Sequence, residues 1–171
     1  MYHGICAARF GLDSAIHALA GASAAAPYLR LHIMGEGEAL PQLEQLARRL
    51  GIIDRVVFFP PGPPDAVVDF VAQGDIGITP YTSNGFMDLA LPSKAYEFAS
   101  MRRPIIASNT PAIRSMFRPT SMVLCEPSSV ESFRDAIVDL YRHPQKRAQL
   151  VASAEYEVSL GLNGGAVPAV N

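Results

Sequence analysis

A chain of 171 residues with 49% hydrophobic and 18% charged residues suits one globular domain with a sizeable core and excludes a disordered protein. Its formal net charge of −2, with both signs mixed along the chain, provides no basic field for nucleic acid. No apolar run reaches the roughly 20 residues of a membrane span, and the first residues show no secretory signal, so we expect a cytoplasmic protein. Cys6 and Cys125 lack metal-ligand spacing, which predicts two buried, reduced thiols.

The chain alternates predicted strands and helices. The strands are short apolar segments at residues 1–6, 28–34, 55–59, 75–80, 104–107 and 121–127. The helices carry apolar residues at helical spacing, at residues 11–26, 40–51, 65–73, from Pro92, 111–117, 128–144 and 144–159. Asp13 is the expected N-cap of the first helix, and Gly51 is expected to end the second.

This alternation predicts right-handed βαβ crossovers. We therefore expect an α/β fold with a doubly wound, mainly parallel sheet, in a three-layer αβα, Rossmann-like arrangement. One domain is predicted over residues 1–159, followed by a flexible tail over residues 160–171, which is rich in small residues.

A ligand site is expected beyond the carboxyl ends of the strands, as in other open parallel sheets. The loops at that edge are rich in glycine and proline, and span residues 7–11, 35–38, 60–64, 81–91 and 108–110. The segment Gly35-Glu36-Gly37 begins like a dinucleotide fingerprint. However, Leu40 takes the third glycine position and no acidic residue ends the next strand, so no nicotinamide cofactor is predicted.

Lys94 and Glu97 are three residues apart and share one face of a predicted helix near its N-terminus. Two interpretations stay open. The pair is either an exposed ion pair contributing less than about 1 kcal/mol, or a site where lysine and helix N-terminus bind phosphate and Glu97 accepts hydrogen bonds from a vicinal diol. No metal site is predicted from the spacing of the four histidines, His3, His17, His32 and His143. Among them, His3 is nearest to the ligand edge.

The order and spacing of these segments resemble the C-terminal, donor-binding domain of GT-B glycosyltransferases, specifically family 4 (group 1). The resemblance covers nearly the whole chain, from YHGICAARFGLDSAIHALA through LHIMGEGEALPQLEQLARRLGIIDRVVFF and AQGDIGITPY to LPSKAYEFASMRRPIIAS and beyond. It implies one half of a GT-B fold that takes a nucleoside diphosphate sugar as substrate and needs no cofactor. It also implies that the acceptor-binding N-terminal domain is missing from this chain.

The resemblance assigns roles by position in these motifs. Glu97 matches the second glutamate of the family's paired-glutamate motif, which contacts the donor ribose. Lys94 and Arg9 are the implied catalytic cations at the diphosphate. The other implied donor contacts lie in the loops at the strand ends: Gly11, Gly35, Gly37, Gly62, Gly85, Phe86, Leu91 and Ser93.

Three positions depart from the family pattern. Leu89 stands where the first glutamate of the pair is expected, with Asp88 the nearest acid; Phe10 replaces the lysine before Gly11; and Arg103 replaces the glycine before a strand proline. The predicted function is the donor-binding half of a retaining glycosyltransferase. One alternative is a non-catalytic nucleotide-binding or interaction module that needs a separate partner chain. Another is a sugar-nucleotide epimerase of the same architecture, whose acidic and histidine site residues are not recognisable here.

Overall fold

The computed structural model describes residues 1–90 and 93–162. Short parallel strands alternate with helices throughout this part of the chain, as predicted. The strands are β1 (Tyr2–His3), β2 (Leu31–Met34), β3 (Val56–Phe59), β4 (Gly77–Thr79), β5 (Ile105–Ser108) and β6 (Val123–Cys125). The helices are α1 (Leu12–Gly21), α2 (Leu40–Arg49), α3 (Pro64–Ala72), α4 (Ser93–Ser100), α5 (Pro111–Met116), α6 (Val130–Arg142) and α7 (Pro144–Leu162).

The strands form two parallel three-stranded sheets, β1-β2-β3 and β4-β5-β6. The backbone N–H of Ile78 in β4 donates to the carbonyl of Met1, just before β1, over 2.9 Å. This bond places β1 beside β4 and gives the strand order β3-β2-β1-β4-β5-β6. That order is typical of Rossmann-like folds, in which the chain reverses its direction of winding between the two central strands.

Helices cover both faces of the sheet. One core contains residues of α1, α2 and α6, such as Leu19, Leu43 and Phe133. The other contains residues of α3, α4, α5 and α7, such as Phe98 and Val158. Strand β5 contributes alternate residues to the two cores, Ile106 to the first and Ile105 and Ala107 to the second. This alternation confirms the predicted three-layer αβα arrangement.

Helix termini follow local chemistry, with one correction to the sequence prediction. Ser129 caps α6 by accepting a hydrogen bond from the Ser132 N–H over 3.2 Å. The N-cap of α1 is Gly11 rather than Asp13, because the chain enters the helix through a left-handed residue, which glycine adopts at little cost. Asp13 lies in the first turn of the helix, where its negative charge interacts favourably with the helix dipole.

The last helix extends beyond the predicted end of the domain, and both cysteines are buried. Helix α7 continues to Leu162, so it enters the segment predicted as a tail, and the remaining residues, 163–171, lie outside the described residues. Pro92, the predicted first residue of α4, also lies outside them. Cys6 and Cys125 are buried free thiols, as predicted.

Candidate functional site

The candidate site lies where the loops after β1 and β4 meet, at the switch in strand order. Both the N–H and the hydroxyl of Thr82 donate to the Arg9 carbonyl, over 3.1 and 3.0 Å. Gly11 has a φ of 61°, and a Cβ there would lie 1.9 Å from the Pro80 carbonyl oxygen. Only glycine therefore allows the two loops to pack this closely, and the packing holds Arg9 and Phe10 beside the end of β4.

Two cations share the ring of Phe10. The guanidinium carbon of Arg9 lies 4.8 Å from the ring centroid, and the Lys94 ammonium nitrogen lies 4.9 Å from it. The rings of Tyr2 and Tyr81 are 5.4 and 6.0 Å from the same ammonium. Aromatic faces attract cations, so these rings hold the Lys94 head group over the end of β1.

The charge of Lys94 is only partly compensated. Burial lowers the pKa of its ammonium, and the nearby Glu97 carboxylate opposes that shift. The Arg9 guanidinium, which contacts the same Phe10 ring as Lys94, adds a second positive charge. Lys94 and Arg9 carry two positive charges against the single negative charge of Glu97, so binding of an anion here would be favourable.

Glu97 lies on the next turn of α4, and about half of its side chain is exposed, 48%. Burial raises the pKa of its carboxyl group, with Lys94 acting in the opposite direction. One carboxylate oxygen lies 3.3 Å from Nε2 of His3, which is buried at the end of β1. The carboxylate thus faces both the protein interior and an open groove.

That groove has a volume of about 590 Å³ and lies between α3 and α4. Its floor is formed by His3, at the end of β1, and Ile5, in the loop that follows. One wall is apolar, with Val67 and Val68 of α3, and Glu97 of α4 lies opposite. Ser93 and Lys94 also line it, at the start of α4. The volume falls within the range of about 300–1,000 Å³ for small-molecule sites.

The glycines of the Gly-Glu-Gly segment have a packing role. A Cβ at Gly35 would lie 1.9 Å from the Gly4 carbonyl oxygen, and one at Gly37 would lie 2.2 Å from the Cys6 carbonyl oxygen. Both have positive φ angles, 154° and 147°. They let this loop lie against the backbone after β1, so their presence is explained without a ligand. Direct donor contacts by them stay a prediction.

The remaining predicted donor residues lie on separate loops. Gly62 is exposed in the loop before α3, close to the groove wall. Gly85 has open space around it, and Phe86 beside it is 70% exposed. The side chain of Asn84 accepts from the Phe86 and Met87 N–H groups, which shapes this turn. Leu91 lies outside the described residues.

The three departures from the family pattern have different positions. Arg103 precedes β5, at the opposite edge of the sheet from the site, and donates to the Ala72 carbonyl over 2.9 Å. It therefore does not disturb the ligand edge. Asp88 accepts from the Ser83 hydroxyl over 2.9 Å within its own loop, while Leu89 is 85% exposed. Phe10, in contrast, is central, because both cations contact it.

Sequence reasoning missed the aromatic support of the cations. Tyr2, Phe10 and Tyr81 come from three separate segments, and only the packing of β1 beside β4 brings them to Lys94. The available signal was the replacement of lysine by Phe10 next to Arg9.

Among the described residues, no cluster of three or more His, Cys, Asp and Glu side chains could hold a metal ion. None of the helices in residues 1–90 and 93–162 is long and apolar enough to cross a membrane.

Comparison with known proteins identifies the family and the fold. The sequence profile described as Glycosyl transferases group 1 matches residues 4–156. A D-inositol 3-phosphate glycosyltransferase of Thermomonospora curvata is 28% identical over 138 residues, which are 75% of this chain and 31% of that protein. An alpha-D-kanosaminyltransferase of Streptomyces kanamyceticus is 25% identical over 157 residues, 90% of this chain and 39% of that protein. The chain therefore spans about a third of the length of such relatives.

Solved structures with the same fold include glycosyltransferase domains. The C-terminal domain of the group 1 family protein LpcC from Francisella tularensis superposes with a TM-score of 0.80 at 18% identity, over 94% of this chain and 85% of that one. HepE from Anabaena, in complex with UDP and glucose, gives a TM-score of 0.76 at 19% identity, over 92% of this chain and 43% of that one. The chain belongs to the glycosyl transferases group 1 family and has the Rossmann-like fold of one half of a GT-B glycosyltransferase.

Proposed function

We propose that this chain is the donor-binding half of a retaining glycosyltransferase that uses a nucleoside diphosphate sugar. In the reaction, the bond between the anomeric carbon and the diphosphate oxygen breaks, and the sugar passes to an acceptor hydroxyl, which loses its proton. The nucleoside diphosphate leaves with the bonding electron pair. Retention of the anomeric configuration rests on the family resemblance alone.

The observation that carries the proposal is the pair of cations on Phe10, with Glu97 one helical turn away. Arg9 and Lys94 would hold the diphosphate and stabilise the negative charge that grows on it as the sugar departs. Glu97, facing the groove, would accept hydrogen bonds from the two ribose hydroxyls. The α3–α4 groove would then receive the base against its apolar wall.

The acceptor site belongs, in this proposal, to a part of the enzyme outside this chain. Its support is the chain's coverage of only 31% of a family relative. The acceptor half would come from the same polypeptide or from a separate partner chain. If no such half assembles with it, the domain would act as a nucleotide-binding or interaction module.

The test is calorimetric titration of the folded chain with UDP, GDP and ADP. UDP comes first because HepE, which shares the fold, was solved with UDP. We expect saturable binding of one nucleotide, abolished or strongly weakened in Glu97→Ala. Glu44→Ala, which removes an exposed carboxylate paired with Arg48 on α2, is the matched control and should bind as wild type. No binding of any of the three by a folded chain would contradict the proposal.

A second measurement separates donor binding from turnover. Incubated with a UDP-sugar and sugar acceptors, this chain alone should release no UDP by transfer, because the acceptor site lies elsewhere. Release should appear when the acceptor-binding half is added. Robust transfer by the chain alone would overturn the assignment of the acceptor site to another part of the enzyme.

A further inference from the structure

His3 is a buried histidine whose ring nitrogen faces the proposed ribose-binding carboxylate. It is 5% exposed at the end of β1, and its ring packs edge-on against Phe98, with centroids 5.2 Å apart and planes at 77°. Its Nε2 atom lies 3.3 Å from Glu97 Oε2 but has no hydrogen bond of good geometry within the described residues. A buried nitrogen in that state is costly, so it favours any small shift of Glu97 that completes the bond.

The ring is fixed, and the carboxylate can move. His3 is held by the strand and by Phe98, whereas the Glu97 side chain is about half exposed, 48%, and lines the open groove. A hydrogen bond between them would therefore orient the Glu97 carboxylate, while the His3 ring would stay where it is. With one oxygen bonded to His3, the second carboxylate oxygen can still accept a bond from a ligand in the groove that Glu97 lines.

His3 is uncharged at neutral pH, which suits a donor of this kind. Burial, with the Lys94 ammonium and the N-terminal amino group adding to the effect, lowers the pKa of His3 to about 4. At neutral pH the imidazole is therefore uncharged and carries one N–H. A neutral donor can fix Glu97 without cancelling the negative charge that balances Lys94.

We propose that His3 is a positioning residue for the donor ribose: its Nε2–H donates to one oxygen of Glu97, and the other oxygen then accepts from the ribose hydroxyls. This inference rests on the proposed function, in which Glu97 binds the ribose. His3 itself contacts Glu97 and not the reacting atoms. It is thus distinct from Lys94 and Arg9, which would contact the leaving group.

Two variants separate positioning from folding. In His3→Phe the ring shape stays but the donor is lost; in His3→Gln an amide N–H reaches about as far as Nε2 does. Affinity for UDP should fall about tenfold in His3→Phe and stay within about threefold of wild type in His3→Gln. For 2′,3′-dideoxy-UDP, which lacks the ribose diol, all three proteins should bind alike. Equal losses for both ligands in His3→Phe, or no loss for UDP, would overturn the inference.

A ligand-free measurement keeps this inference separate from the proposed function. The carboxyl signal of Glu97 can be followed by NMR in chain labelled at the glutamate side chains. Losing a donor to the carboxylate raises its pKa, so the Glu97 pKa should be higher in His3→Phe than in wild type and in His3→Gln. If wild type binds no UDP but this order holds, the positioning bond stands and the donor role fails. If the three pKa values agree, the positioning bond itself is wrong.

Discussion

Two regions of this molecule use the same three kinds of side chain in opposite ways. Each combines one lysine, one acid and one histidine: the edge site contains Lys94, Glu97 and His3, and the α6–α7 junction contains Lys146, Asp139 and His143. At the junction, both Lys146 and His143 contact the Asp139 carboxylate directly. At the edge site, by contrast, His3 lies near the Glu97 carboxylate but makes no hydrogen bond of good geometry with it.

Burial accounts for the difference. At the edge site, burial is the largest cause of each pKa shift: it lowers the pKa of Lys94, raises that of Glu97 and lowers that of His3. At the junction, a hydrogen bond from Lys146 is the largest cause and lowers the pKa of Asp139. The two acids do not differ in exposure in this direction, since Glu97 is 48% and Asp139 34% exposed; the histidine and the lysine do. His143 and Lys146 are exposed and pair with Asp139, whereas Lys94 is part-buried beside the buried His3 and still gains from an anionic ligand. We therefore expect a ligand at the edge site and none at the junction, although the two contain the same kinds of side chain.

The largest expected contrast is between the two lysines. Lys94→Ala should weaken UDP binding 10- to 100-fold, because a charge-assisted contact contributes about 1.5–3 kcal/mol. Uridine binding should change little, since it carries no phosphate. Lys146→Ala, at the exposed junction, is the matched control and should bind UDP as wild type does. Calorimetry with both ligands checks this, and equal losses for UDP and uridine in Lys94→Ala would point to damage of α4 instead.

The second contrast uses the pH dependence of stability. Between pH 6.5 and about 4 the unfolded chain protonates this histidine while folded His3 stays neutral, so the unfolded state binds more protons and stability falls as pH drops. The contribution is roughly 2–3 kcal/mol across that window. Burial also lowers the pKa of His32 and of the N-terminal amino group, so part of the fall in stability remains in every variant. Urea unfolding from pH 7 to 4 should therefore show a fall that is smaller by this amount in His3→Phe than in wild type and in His143→Phe. An equal fall in His3→Phe and wild type would assign the whole effect to other groups.

A smaller effect is expected from the aromatic support of the cations. Phe10→Leu should weaken UDP binding about two- to fivefold, because a cation–π contact at a partly exposed site is worth about 0.5–1 kcal/mol. Tyr156→Leu is the matched control, since Arg118 lies 5.9 Å from that ring on α7, away from the groove. Unchanged UDP affinity in Phe10→Leu would show that Lys94 and Arg9 hold their positions without the ring.

The smallest expected effect is at the junction itself. Asp139→Asn should lower the free energy of unfolding by less than about 1 kcal/mol at pH 7, because its partners His143 and Lys146 are 59% and 45% exposed. Salt at about 1 M should remove the difference from wild type, since the screening length there is only about 3 Å. Urea unfolding of wild type and Asp139→Asn at low and at high salt measures the loss of unfolding free energy in each condition. A loss that persists in salt would mean that the junction is less solvated than its exposure indicates.

Much of the fold could be predicted from local patterns, and its exceptions have local causes. Alternating apolar segments and turn residues were enough for the order of strands and helices, because each element reflects its own periodicity. The N-cap of α1 was wrong because the tight contact of Gly11 with Pro80, a residue distant in the sequence, decides where the helix starts. β1 is shorter than predicted, Tyr2–His3, since the chain turns at Gly4 with a φ of 109°.

The sequence by itself determined the fold class and the shared helix face of Lys94 and Glu97, because both follow from spacing within short segments. Only the tertiary structure decided what surrounds that pair. It placed β1 beside β4, put Phe10 under two cations, and turned His3 toward Glu97. The physical reason is that burial and through-space charge depend on which strands are neighbours, and strand order is set by packing of the whole chain rather than by any local pattern.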